Sequence, residues 1–176
     1  MTDFVRRKLC KTLTGLTAFA AHTPLLHANT TERQSVPILR KTLPGKSEDI
    51  SAIGMGTWIT FDVPDIVSVR RQRTQVLQTF FDMGGQMIDS SPMYGQAEDM
   101  LGHGLSRIEQ KGRLFAASKI WTPFAADGRM QMAASERLWR VDRMDLMYVH
   151  NLLSWQKHLH QLRDWQDEGR IRYIGL

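Results

Sequence analysis

The chain has 176 residues, enough for one domain with a sizeable core, and its apolar (42%) and charged (23%) fractions are those of a soluble globular protein. The net charge of +5 does not mark a nucleic-acid binder: Arg6, Arg7, Lys8 and Lys11 against Asp3 place +3 of it in the first 28 residues, and the near-neutral remainder has no electrostatic footprint for nucleic acid. The single cysteine, Cys10, excludes an internal disulfide, and the ten methionines and five tryptophans fall mostly in apolar runs, as core residues do.

The N-terminus reads as an address. Val5-Arg6-Arg7-Lys8-Leu9-Cys10-Lys11 is followed by the modestly apolar run 13–21, too short to span a bilayer as a helix, and by Leu26-His27-Ala28, which offers a small residue to a peptidase. The pattern resembles a twin-arginine export signal, so residues 1–28 are expected to be a signal peptide that directs the protein to the periplasm. The alternative is a basic amphipathic tail on a cytoplasmic protein. Cleavage after Ala28 would remove Cys10 and leave no stable membrane anchor. Residues 29–35 are a polar linker, and 36–176 the folded domain.

Residues 36–43 and 48–53 flank the turn signal Pro44-Gly45-Lys46, which predicts a small hairpin leading into the first core strand, 50–55. Apolar residues at 76, 77, 80 and 81 predict a helix over 67–83, stopped by Gly84-Gly85. Residues 87–89 form the second strand. A helix follows over 97–108, with 97, 100, 101, 105 and 108 inward, although Gly102 and Gly104 weaken it. The third strand covers 114–120 and the next helix 130–141. The fourth strand covers 144–150 and is followed by a helix over 155–168 with 155, 159, 162 and 165 on one face. The fifth strand begins at Tyr173.

The strand ends Thr57, Asp89, Lys119 and His150 are separated by 32, 30 and 31 residues, the length of a strand, a helix and two short loops. That rhythm implies parallel βαβ units. A doubly wound sheet would show a glycine-rich phosphate loop after strand one, whereas Gly54-Met55-Gly56 has Ile59 where the third glycine belongs. The expected fold class is therefore α/β of the (β/α)8 TIM-barrel type.

In such a barrel all C-terminal strand ends share one rim. Asp89, Lys119 and His150 are then predicted to converge, with Tyr94 in the loop after Asp89. Singly, each has an ordinary explanation: a turn cap, a surface base, a satisfied strand-end histidine, a loop aromatic. Together they suggest proton transfer by a tuned phenol. A free tyrosine is a reluctant acid near neutral pH, a neighbouring Lys119 cation favours its phenolate, Asp89 holds Lys119 charged, and His150 can orient a carbonyl oxygen. The hydride must come from a cofactor. His158 and His160 are two apart on a helix, diverge, and make a poor metal pair; Arg70-Arg71-Gln72-Arg73 reads as a solvated helix start.

Gly54 to Trp58, Ile88 to Gly95, Ala117-Ser118-Lys119, Asp145 to Asn151 and Glu168 to Gly175 together resemble the aldo-keto reductase family, in the family's order. The resemblance implies reduction of aldehydes and ketones with NADPH and without a metal. Tyr94 would be the general acid, Lys119 and Asp89 would tune it, and His150 would orient the carbonyl; Thr57 and Asp89 would approach the nicotinamide ribose. Trp58 and Trp121 match positions that line the substrate pocket, with core or rim packing the equal alternative.

A complete barrel has eight strands and roughly 250 residues, whereas five strands are legible here. A partial barrel of about five strands would leave open edges, so self-association through them and little activity of this chain alone are expected. Two readings follow: an NADPH-dependent reductase of small-molecule carbonyls, or a truncated, inactive half-barrel or non-enzymatic interaction module.

Overall fold

The computed structural model describes residues 37–109 and 113–176. The expected signal (1–28) and linker (29–35) lie outside the described residues. Among those described, no helix is long and apolar enough to cross a membrane.

The predicted hairpin is present. Strands β1 (Arg40–Thr42) and β2 (Asp49–Ser51) pair antiparallel, and Gly45 makes the turn at φ +69°. A second, parallel sheet contains β3 (Met55–Gly56), β4 (Met87–Asp89), β5 (Phe115–Ile120), β6 (Met144–Val149) and β7 (Ile171–Gly175), in that spatial order. Every strand neighbours its predecessor in the chain. A doubly wound sheet reverses its strand order at a switch point, so unbroken sequential order is the barrel pattern. Among the described residues β3 and β7 are the edges.

Helices α1 (Val67–Asp82), α2 (Ala97–Leu105), α3 (Ala125–Trp139) and α4 (Trp155–Asp167) connect these strands. Their apolar faces meet the sheet in one core that includes Leu77 and Phe81 of α1, Met100 and Leu101 of α2, Met132 and Trp139 of α3, and Leu162 and Trp165 of α4. Each large side chain buried there contributes about 1.5–3 kcal/mol through removal of apolar surface from water. All six residues of β5 are buried, as befits a central parallel strand covered on both faces.

Several predicted boundaries move. The first core strand, expected over 50–55, is split: residues 49–51 stay in the hairpin and only Met55–Gly56 joins the parallel sheet. Ser51 is the cause. Its N–H donates to Gln86 Oε1 (3.0 Å), its hydroxyl accepts from the Gln86 N–H (3.1 Å), and that hydroxyl donates to the Ile53 carbonyl (3.0 Å), which turns the chain before it enters the sheet. Helix α3 begins at Ala125, five residues before the predicted start, and ends at Trp139 with Arg140 left-handed. Gly128 lies inside it because α4 approaches closely; a Cβ there would stand 2.9 Å from Gln161 Oε1.

Gly102 likewise has a packing reason. A methyl group there would overlap the Leu138 carbonyl oxygen of α3, so this glycine, read as a weakness, sets how near α2 and α3 can lie. α2 ends at Leu105, before the predicted 108, yet Ile108 is still buried. The buried stripe of α4 is His158, Gln161, Leu162 and Trp165, shifted from the predicted 155/159/162/165; Trp155 is exposed. Arg70 is not solvated either. It forms ion pairs with Asp65 (2.7 Å) and with Asp99 of α2 (2.5 Å), the latter also a hydrogen bond.

Candidate active site

The chain leaves β4 at Asp89 and turns through Ser90 to Gly95. The Tyr94 N–H donates to the Ser91 carbonyl (3.0 Å), and the Tyr94 carbonyl accepts from Ala97 at the start of α2 (3.0 Å). Gly95 has φ +56°, and a side chain there would overlap the Asp62 carboxylate, which reaches across from the loop after β3 to accept the Gln96 N–H at 2.9 Å. Only glycine fits both demands, and Tyr94 is held by the result.

Lys119, near the end of β5, is expected to reach Asp89. It does, although the register is offset: Asp89 lies opposite Ala117, two residues earlier on the same face. The lysine stem spans that stagger. Its ammonium donates to Asp89 Oδ1 (2.5 Å) and to the Ser90 carbonyl (2.8 Å). The Lys119 side chain is 11% exposed and that of Asp89 29%, so the pair is sheltered but open on the carboxylate side. The same ammonium stands 5.1 Å from the centroid of the Tyr94 ring.

His150 follows β6 directly, where the chain enters a short 3-10 turn instead of continuing the strand as predicted. Its ring meets Tyr94 edge to face, with centroids 6.3 Å apart at 84°, and the Trp58 ring is tilted against Tyr94 at 6.5 Å. The four predicted residues therefore form one cluster. Burial pushes the His150 imidazole below its ordinary pKa, and the Lys119 charge adds to that against the opposing pull of Asp89. Its neutral form is favoured, leaving one ring nitrogen as donor and one as acceptor. Among the described residues, no polar side chain bonds the Tyr94 hydroxyl or the His150 ring.

Thr57, expected beside the nicotinamide ribose, lies at the end of β3. It is fully buried, and its hydroxyl donates to the Asp89 carbonyl (2.9 Å), tying the ends of β3 and β4 together. Ser90 and Ser91 are also buried, and their hydroxyls find no partner among the described residues. Trp58 (66% exposed) and Trp121 (42% exposed) present their rings at the rim.

Tyr148 completes the surroundings of Lys119 and is absent from the predicted set. Its ring centroid lies 5.6 Å from the lysine nitrogen, and burial, aided by the Asp89 charge, raises its phenol above the usual range. It is the register partner of Lys119 in β6 and two residues before His150, so strand alternation puts it on the His150 face while the register brings it to Lys119. Its neighbour in β7 is Gly175, where any side chain would run into the Tyr148 ring.

The loop after β5 is pinned from two helices. Trp121 exchanges both backbone bonds with the Gln131 amide (2.8 and 2.9 Å), and the buried His158 donates from Nε2 to the Thr122 carbonyl (2.6 Å). His158 is thus a loop anchor, and its exposed neighbour His160 points elsewhere. A cleft of about 430 Å³ opens beside this loop, between Pro92, Met93, Trp121, Pro123 and Leu153. A larger cleft, about 650 Å³, lies at the opposite ends of the strands around Leu114, Glu136 and Asp145, remote from these groups. Backbone strain favours the rim: Ile59, Asn151, Leu152 and Ser154 all have positive φ on loops that follow β3 and β6.

Consecutive parallel strands that carry a carboxylate–lysine pair, a phenol and an imidazole on one rim define a (β/α)-barrel-type protein with a polar cluster at the strand ends. The chain belongs to the aldo/keto reductase family, whose model matches residues 52–176. It is similar to the aldo-keto reductase str7 of Strobilurus tenacellus, 28% identical over 120 residues, covering 63% of this chain and 36% of that protein. Among solved structures, a thermostable aldo-keto reductase in complex with the inhibitor epalrestat is 27% identical with a TM-score of 0.68, covering 78% of this chain and 53% of that one. An aldo-keto reductase from Klebsiella pneumoniae in complex with NADPH is 26% identical with a TM-score of 0.65, covering 78% and 49%. The chain thus spans about a third to a half of these relatives' lengths.

Proposed function

We propose that this chain is the catalytic portion of an NADPH-dependent oxidoreductase that reduces aldehydes or ketones to alcohols, with Tyr94 as general acid. The observation that carries the reading is Lys119, whose ammonium is anchored by Asp89 and the Ser90 carbonyl while it faces the Tyr94 ring. A cation so placed stabilises negative charge that develops on the phenol oxygen as its proton leaves. His150, neutral and edge-on to Tyr94, donates a hydrogen bond that orients and polarises the carbonyl oxygen.

NADPH, when bound, supplies a hydride to the carbonyl carbon. The oxygen takes the Tyr94 proton, so the products are an alcohol and the oxidised cofactor. The residues present fit the nicotinamide end of such a molecule. Asp89 commits Oδ1 to Lys119 and is 29% exposed, and the orphaned hydroxyls of Ser90 and Ser91 lie beside it. Thr57 would act through Asp89, since its own hydroxyl is committed. No Lys or Arg occurs in the rim segments 57–62, 90–96, 121–124 or 150–154, so these loops bring no cation to the phosphates.

Export to the periplasm by residues 1–28 remains part of the proposal; it rests on the Arg6-Arg7 pattern, and retention of a tagged Arg6→Lys/Arg7→Lys variant in the cytoplasm would support it. For the reaction, NADPH consumption with a panel of aldehydes is compared between the chain and Tyr94→Phe. Turnover by the chain is expected to be low, and to fall a further factor of about 10² to 10⁴ in the variant, because a positioned general acid contributes that much. Equal rates in both proteins, or turnover by neither, would count against the reading.

A further inference from the structure

Glu98 is a buried carboxylate that the chemistry above does not use. It lies in the first turn of α2, four residues after Tyr94, and is 3% exposed. Among the described residues no cation forms an ion pair with it, and the Lys119 charge acts on it only from a distance. Instead Oε1 accepts from the Ser118 hydroxyl (2.8 Å) and the Trp139 indole (3.0 Å), and Oε2 from the Ser135 hydroxyl (2.9 Å). Ser118 and Ser135 are also within 3.3 Å of each other. Three side chains from β5 and α3 therefore meet on one carboxyl group of α2.

Ser118 directly precedes Lys119, and adjacent strand residues point to opposite faces. The strand position that sends Lys119 to the rim cluster is thus held, from behind, by a carboxylate in the first turn of the helix that follows the Tyr94 turn. Gly102, one turn after Glu98, lets α3 approach closely enough to bring in Ser135 and Trp139. Burying a carboxylate is costly unless it is fully hydrogen-bonded, so a group of this kind is retained for what it positions more than for what it stabilises. Its placement near the helix N-terminus offsets part of that cost.

We infer that Glu98 is a positioning residue: by holding Ser118, Ser135 and Trp139 it fixes the register between the turn that carries Tyr94 and the strand that carries Lys119. The inference rests on the rim cluster being the reaction site, but its test does not depend on turnover. An amide can reproduce the arrangement, since Gln Oε1 accepts two bonds and Nε2 donates to Ser135. Hydrogen bonding, not charge, is therefore the tie.

The experiment uses the full chain labelled with 3-fluorotyrosine, which places probes at Tyr94, Tyr148 and Tyr173, with ¹⁹F spectra taken well below melting. Glu98→Ala is expected to move or broaden the Tyr94 resonance beyond its linewidth while that of Tyr173 stays in place. Glu98→Gln is expected to restore the Tyr94 signal to its wild-type position. Should Glu98→Ala fail to fold, Ser118→Ala is expected to move the Tyr94 resonance in its stead. A lowered melting temperature with an unmoved Tyr94 resonance, in whichever variant folds, would make Glu98 a packing tie alone and overturn the inference. So would Glu98→Gln behaving like Glu98→Ala. None of these spectra needs NADPH, so absent hydride transfer would defeat the reductase reading without deciding this one.

Discussion

Each end of the parallel strands carries a cation held by carboxylate, two at one end and one at the other, and the two ends are finished differently. At the N-terminal end, Arg172 of β7 bonds Asp145 of β6 (2.7 Å) and Glu48 of the hairpin, Glu48 also accepts from Tyr173, and the other Asp145 oxygen accepts the Ala116 N–H (2.8 Å). That network is closed. At the C-terminal end Lys119 is held by Asp89 and Ser90, but the Tyr94 hydroxyl, the His150 ring and the Ser90 and Ser91 hydroxyls have no partner among the described residues. A polar group left open where its backbone is tightly held costs stability and gains only if something binds there. The two ends thus differ in hydrogen-bond satisfaction more than in the presence of charge.

Exchanging the two cations for apolar residues should break that contrast most visibly. Lys119→Met is expected to lower the reductase rate about 10²-fold or more, since it removes the charge that stabilises the Tyr94 oxygen. Arg172→Met is expected to leave the rate per folded molecule within about twofold. It should lower stability by on the order of 1–3 kcal/mol, less than for a fully buried pair because Arg172 and Glu48 are each about a third exposed. Steady-state rates and thermal melts on both variants check this. Loss of rate in Arg172→Met without loss of folded protein would erase the distinction.

Gly102→Ala concerns the layer behind the rim. The added methyl group meets backbone, which cannot rotate away, so α2 and α3 must separate at a cost of about 1–3 kcal/mol. A melt at unchanged temperature would show that the helices can slide without penalty.

The smallest expected effect is a titration. Because the folded-state pKa of His150 is depressed, the folded chain binds fewer protons than the unfolded chain below the ordinary imidazole value of 6.5. Its contribution to stability is present above 6.5 and is lost as pH falls from there through the depressed value. The rate should decline over the same acid range, as the imidazolium replaces the neutral donor. In Lys119→Met one cause of the depression is gone, so the His150 midpoint, read by NMR, should move up. A midpoint that stays put would mean that burial alone sets it.

Much of the rim was legible in the sequence because strand ends recur at a fixed spacing. Met87–Asp89 occurs as read, and the strand-to-strand interval brought Asp89, Lys119 and His150 to one rim in advance. What could not be read is whatever depends on contact between elements. Glu98 looks like any first-turn acid until Ser118, Ser135 and Trp139 are seen around it. Gly102 and Gly128 look like helix breakers until the neighbouring helix supplies the reason for them. Tyr148 needed the register as well as the alternation. The start of α3 was misplaced because Ala125 to Arg129 contains a glycine and two polar residues, and their helical state is decided by α4.

The most direct test of the central claim follows the hydrogen itself. The chain is incubated with NADPH deuterated at the transferable C4 position and with benzaldehyde, and the alcohol is examined by mass spectrometry and NMR. Benzyl alcohol with one deuterium on the carbinol carbon, formed by the wild-type chain and at least about 10²-fold more slowly by Tyr94→Phe, is the predicted result. Absence of deuterated alcohol, or its formation at the same rate by both proteins, would contradict the assignment of this rim as a carbonyl-reducing site.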